Sequence, residues 1–194
     1  MQKREFLKNA GLLSASVMIQ PVARFGNDTS AAISELLKEN EADVPLKLVI
    51  GSDHAGFPLK GPLIKFLKSL NYSIKDVGSF NPEPVDFPDI ALLLADEVKS
   101  GRADRGIMVC GTGVGAAIAC NKIPGIRASV GHDTYSAHQC VEHDNVNVLC
   151  MGAQIIGQSI AEEVLVNYLN AKFSTEDQFR RRVQKLDEFD KIMK

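Results

Sequence analysis

Cys110-Gly111-Thr112-Gly113-Val114-Gly115 places a thiol directly before a row of glycine-spaced backbone amides. The apolar run ahead of it, residues 106–109, reads as a buried parallel strand, and residues 116–119 continue as an apolar helix. The cysteine therefore closes a strand, and the N–H groups of Gly111 to Gly115 open a helix. Open α/β sheets bind ligands at that place. The amides and the helix dipole favour an anion, and the same field lowers a thiol pKa. A thiolate beside an anion cradle is suited to removing a proton next to a developing oxyanion.

Three other readings compete for these residues. A cysteine at a strand end also serves as a small buried apolar group. A dinucleotide fingerprint needs glycine at its first, third and sixth positions. Counted from Gly111 the sixth residue is Ala116, which the fingerprint tolerates, and Asp133 lies at about the spacing of a ribose-binding carboxylate. The motif nevertheless falls on the third expected strand, not the first. A phosphate-clamping cysteine loop wants an arginine, and none occurs between Cys110 and Arg127.

The elements that must position this thiol follow from periodicity. Residues 46–51, 73–78, 106–110, 126–131 and 147–151 read as strands. Residues 59–70 carry Leu59, Leu63, Ile64, Phe66, Leu67 and Leu70 on one helical face. Residues 87–98 form a second helix with Pro88 in its first turn, and residues 159–169 follow the last strand. Residues 178–193 read as a charged helix with few apolar anchors. Strands alternating with helices over short links predict a three-layer α/β/α, doubly wound parallel sheet of about five strands, Rossmann-like in class.

Other polar signals cluster at expected strand ends. Ser52-Asp53-His54-Ala55-Gly56 reads either as a second ligand loop or as an N-cap by Asp53 or Ser52. His132, Asp133, Tyr135, His138 and His143 follow the fourth strand, and three histidines are expected to converge on one sheet edge.

A chain of 194 residues holds one domain with a real core. The net charge of −2 gives no reason to expect nucleic acid or an anionic membrane as a partner, and the lack of tryptophan argues against base stacking. Cys110, Cys120, Cys140 and Cys150 contain no C-x-x-C pair, so zinc is not indicated. Three of them read as packing residues and one as chemistry.

Residues 1–25 have the layout of an export signal: a basic start, a short apolar stretch, then small residues. Arg4-Glu5-Phe6-Leu7-Lys8 resembles the twin-arginine signal, with Lys3 where that signal has its first arginine. The expectation is an exported or periplasmic protein, with a cytoplasmic one as the alternative. The apolar stretch is too short to insert stably in a membrane. Residues 26–45 read as a polar linker and residues 46–194 as the globular domain.

Several motifs in order resemble the ribose-5-phosphate isomerase B family, which includes galactose-6-phosphate isomerase subunits. They are Gly51-Ser52-Asp53-His54-Ala55-Gly56-Phe57 with Leu59-Lys60, Val85-Asp86-Phe87-Pro88-Asp89, Cys110 to Gly115 with Ala119 and Asn121-Lys122, Gly125-Ile126-Arg127-Ala128, Tyr135-Ser136-Ala137, and His143 with Asn147-Val148-Leu149. The resemblance implies aldose–ketose isomerisation without a metal or other cofactor. It implies that Cys110 moves a proton between C1 and C2 through an enediolate, and that the amides of Gly111, Gly113, Val114 and Gly115 hold the charged oxygen. Thr112 would bond the reacting hydroxyls, and Asp53 and His54 would contact the sugar. His143 would open the furanose ring, with Asp144 beside it, and Arg182 would bind a phosphate. The family implies a homodimer or homotetramer whose sites are shared between subunits.

Three positions depart from that pattern. The family commonly has asparagine where Asp144 stands, and often arginine where Gln154 and Gln178 stand. Arginine forks are the usual means of holding phosphate. Two alternatives follow: an isomerase of an unphosphorylated sugar outside the cytoplasm, and a sugar-binding subunit without turnover.

Overall fold

The computed structural model describes residues 45–192. The expected leader and all of the expected linker except Pro45 lie outside the described residues. The strands are β1 (Lys47–Ser52), β2 (Ser73–Asp76), β3 (Arg105–Cys110), β4 (Ala128–Val130) and β5 (Val148–Gly152). The helices are α1 (Phe57–Ser69), α2 (Phe87–Lys99), α3 (Val114–Asn121), α4 (Thr134–Asp144), α5 (Gln158–Asn170) and α6 (Asp177–Ile192). The strands form one parallel sheet in the order β2-β1-β3-β5-β4.

Burial on both faces explains why β1, β3 and β5 are continuous apolar runs, not alternating ones. Leu48, Ile50, Ile107, Val109, Leu149 and Met151 pack against α1, α4 and α5. Val49, Met108, Cys110, Val148 and Cys150 pack against α2 and α3. The expected three-layer, doubly wound sheet is the observed one.

Two strands are shorter than periodicity suggests. β2 ends at Asp76, after which Gly78 takes φ +124. β4 covers only Ala128–Val130, because the Arg127 amide is drawn aside to the Asn147 Oδ1 atom at 2.8 Å. The chain leaves β1 towards β2 on one side and reaches β3 on the other. The crevice at the carboxyl ends of β1 and β3 is therefore the topological switch point, where a doubly wound sheet takes its ligand.

Candidate active site

Cys110 ends β3 in that crevice, and its loop is stitched to β5. The Ala153 amide donates to the Cys110 carbonyl (2.8 Å) and the Gln154 amide to the Gly111 carbonyl (3.0 Å). Gly113 caps α3 in the left-handed conformation, φ +79. The fit is so close that a Cβ on Gly152 would stand 2.8 Å from the Thr112 backbone. Gly56 is constrained harder still: a Cβ there would lie 2.0 Å from the Val109 carbonyl oxygen. The β1–α1 loop thus rests directly on the end of β3.

That approach carries Asp53 to Cys110. The Asp53 amide donates to the Val109 carbonyl (3.3 Å), and its Oδ1 accepts from the Gly56 amide (2.8 Å). The expected N-cap by Asp53 or Ser52 is corrected: Gly56 caps α1 with no side-chain cap bond, because the Asp53 carboxylate is turned to the Gly56 amide and the Cys110 thiol. Burial pushes the thiol pKa up, and the hydrogen bond and charge of Asp53 push it further. The Gly113 and Gly111 amides pull it down by less. The lowered pKa expected from the helix terminus is therefore not met: burial first, and the Asp53 carboxylate second, raise it.

Thr112 is exposed at the rim, and its Oγ1 accepts from the Val114 amide at 3.3 Å. Phe87 packs on Gly115, its ring 3.0 Å from where a Cβ would be. His54 accepts at Nδ1 from the Val85 amide (3.4 Å), which leaves Nε2 as its donor nitrogen. The loop carrying Val85 is held by Lys60, a buried lysine whose ammonium donates to both Asp76 oxygens (2.7 and 2.8 Å) and to the Ser79 carbonyl (2.6 Å). Sequence reading gave Phe87 and Lys60 no role; their only signal was membership of the quoted motifs. Gln154 also reaches this end, its side-chain oxygen 3.4 Å from a Cβ position on Gly111.

His143, Asp144 and Arg182 are elsewhere. α4 runs antiparallel to the strands, so His143 and Asp144, in its last turn, lie near the start of β5. Val148 at that start pairs with Gly106, whereas Cys110 pairs with Gly152 at the other end of β5. At 3.3 Å per residue, about 13 Å of strand separates the two ends. His143 stacks on Phe179 of α6 (centroids 4.0 Å apart, planes at 14°), and the Arg182 guanidinium lies 5.7 Å from the same ring.

The expected convergence of three histidines is accordingly corrected. His132 accepts at Nε2 from the Gly152 amide (2.9 Å) at the carboxyl end, His143 is one helix length away, and His138 lies between them beside Glu142. A helix of this length spans about 16 Å, so one element cannot bring both ends to one edge. Asp133 is the N-cap of α4, accepting from the Ser136 amide (2.8 Å), which is a structural role in place of a ribose contact.

All four cysteines are free and buried. Among the described residues no His/Cys/Asp/Glu group could hold a metal ion, and no helix is long and apolar enough to cross a membrane.

A doubly wound sheet with a thiol, a carboxylate and an amide cradle at its switch point defines a class, a small-molecule α/β enzyme. Residues 48–186 match the Ribose/Galactose Isomerase family, and the chain belongs to that family, as an aldose–ketose isomerase. It is 46% identical over 129 residues to the ribose-5-P isomerase B of Listeria innocua, covering 66% of this chain and 87% of that one. It is 41% identical over 131 residues to D-erythrulose-4-phosphate isomerase 2 of Mycolicibacterium smegmatis, covering 66% and 86%. Its structure is similar to that of ribose-5-phosphate isomerase B from Clostridium thermocellum, with a TM-score of 0.75 at 42% identity, over 77% of this chain and all of that one.

Proposed function

We propose that this chain interconverts ribose 5-phosphate and ribulose 5-phosphate through an enediolate, with Cys110 as the base. The observation that carries the reading is the Cys110 thiol at the end of β3, facing the buried Asp53 carboxylate beside the Gly111 and Gly113 amides. Asp53 is placed to receive the thiol proton as substrate binds. The thiolate then takes the C2 proton of the aldose while the C1 carbonyl becomes the enediolate oxygen, held by the amides of Gly111 to Gly115. Thr112 bonds the O1 and O2 hydroxyls as the proton between them moves. Cys110 returns its proton to C1, giving the ketose. His54 contacts the sugar at the same rim.

His143 and Arg182 enter the site from a second copy of the chain. Within one copy they lie at the far end of the sheet from Cys110. A homodimer with shared sites joins the two ends, His143 opening the ring and Arg182 binding the phosphate, with Asp144 beside them. The packed pair α2 and α3 exposes Leu92, Leu93, Val114 and Ile118, apolar side chains suited to that contact.

A second reading, an unphosphorylated sugar as substrate, is favoured by the neutral Gln154 beside the cradle and by Gln178, whose amide is spent on Glu176 (2.7 Å). It goes with export, the proposed use of residues 1–25. Assay of the full chain on ribose and on ribose 5-phosphate separates the two. Turnover of the phosphate ester, lost in Cys110→Ala, supports the first reading; turnover of free ribose alone replaces it with the second.

A further inference from the structure

Arg127 belongs to the Gly125-Ile126-Arg127-Ala128 motif and has no part in the chemistry above. Its side chain is 21% exposed. Its Nε donates to the Asn145 carbonyl at 2.9 Å, and Asn145, left-handed at φ 49, ends α4 just after His143 and Asp144. Its Nη1 donates to Asp187 Oδ1 at 2.9 Å, on the helix that carries Arg182. Its own amide is held by Asn147 Oδ1 (2.8 Å), whose Nδ2 donates to the Gly125 carbonyl (2.9 Å). One guanidinium therefore bridges the end of the His143 helix and the Arg182 helix.

α6 needs such a bracket. Val183 is its one buried side chain among the described residues. A cleft of about 350 Å³ bordered by Arg127, Asp144, Leu186 and Phe189 lies where a packed core would otherwise seat the helix. With so little apolar burial to set its phase, α6 is placed by the Arg127–Asp187 pair, by the Gly125 amide donating to Asp190 Oδ2 (2.7 Å), and by Phe179 on His143. A planar fork with two partners sets an angle as well as a distance.

We propose that Arg127 is a positioning residue that fixes Arg182 relative to His143, and so sets the affinity for the phosphorylated end of the substrate. The proposal rests on the reading of His143 and Arg182 given above. The test is a double-variant cycle on the full chain, with KM and kcat measured on ribose 5-phosphate for Asp187→Asn, Arg127→Gln, Arg182→Gln and the Asp187→Asn/Arg182→Gln pair. Arg182→Gln is expected to raise KM about tenfold. Asp187→Asn, at a half-exposed carboxylate, is expected to raise KM about threefold with kcat unchanged, and to add nothing once Arg182 is gone. Arg127→Gln is expected to change both constants, because it also frees the Asn145 carbonyl. A wild-type KM in Asp187→Asn, or effects that multiply in the pair, overturns the proposal while leaving the role of Arg182 standing. An unchanged KM in Arg182→Gln overturns that role, and the positioning with it. Should Arg127→Gln fail to fold, Asp187→Asn alone decides.

Discussion

At the carboxyl end of the sheet the site is made largely of backbone; at the amino end it is made of side chains on the last turn of α4 and on α6. Gly56, Gly113 and Gly152 bring three chain segments together at the first end, with no room for a Cβ at Gly56 or Gly152. His143, Phe179 and Arg182 at the second end are held by a ring stack, a cation over that ring and the polar contacts of Arg127. The backbone half is built on buried strand ends and on Gly56, Gly113 and Gly152, so its geometry is inseparable from the fold. In the side-chain half, Phe179 and Arg182 sit on a helix with one buried residue, and substitutions of these two are expected to leave the core intact. The difference teaches where each property resides. On the proposed function, proton transfer is tied to the backbone-built end, and recognition of the far end of the substrate is free to vary at the other.

Substitutions can break this contrast, and the largest effect belongs to the rigid end. Cys110→Ala should lower kcat about 10³-fold with a melting temperature close to wild type. A melting temperature that fell along with the activity would mean the thiol is there for packing. Gly56→Ala should instead destabilise the fold by about 3 kcal/mol, read by urea unfolding, because the Val109 carbonyl is backbone and cannot move aside. An equally large loss from His143→Ala would erase the distinction between the two ends.

Mixing subunits sharpens it. Inactive Cys110→Ala and inactive His143→Ala proteins, unfolded together and refolded, should regain about a quarter of wild-type turnover if each site takes one end from each copy. No recovery would place both ends in one copy's site and contradict their separation along β5.

The smallest effects are titrations. Asp53 raises the Cys110 pKa, so Asp53→Asn should shift the pH midpoint of Cys110 alkylation downwards. An upward shift would show that the carboxylate does not face the thiol. Away from the site, burial holds the Cys140 thiol at about 11, above its usual 9.0. A pKa raised by folding gives stability that is present below pH 9 and lost as pH rises through 11. The urea midpoint should fall across that window, and Cys140→Ala should flatten the fall.

The fold was legible because β1, β3 and β5 are unbroken apolar runs separated by helical periodicity, and a buried parallel sheet has no other pattern. The thiol, its cradle and the Asp53 loop were legible because glycine spacing and strand ends are local properties of the chain. The direction of the Cys110 pKa was not. The helix terminus is visible in sequence, but the opposing carboxylate lies 57 positions away and meets the thiol only through the β1–β3 pairing. The supposed histidine cluster failed for a related reason, since sequence proximity along a helix says nothing about which end of the sheet each residue reaches.

By itself, then, the sequence determined the class of fold and the family, both of which depend on local pattern and short spacing. Tertiary structure alone decided that burial and the Asp53 carboxylate raise the Cys110 pKa and that His143 and Arg182 share Phe179. It alone put those two at the opposite end from Cys110 and made Arg127 the tie between their helices. These are contacts between segments distant in the chain, set by strand order and helix direction, which no run of residues encodes on its own.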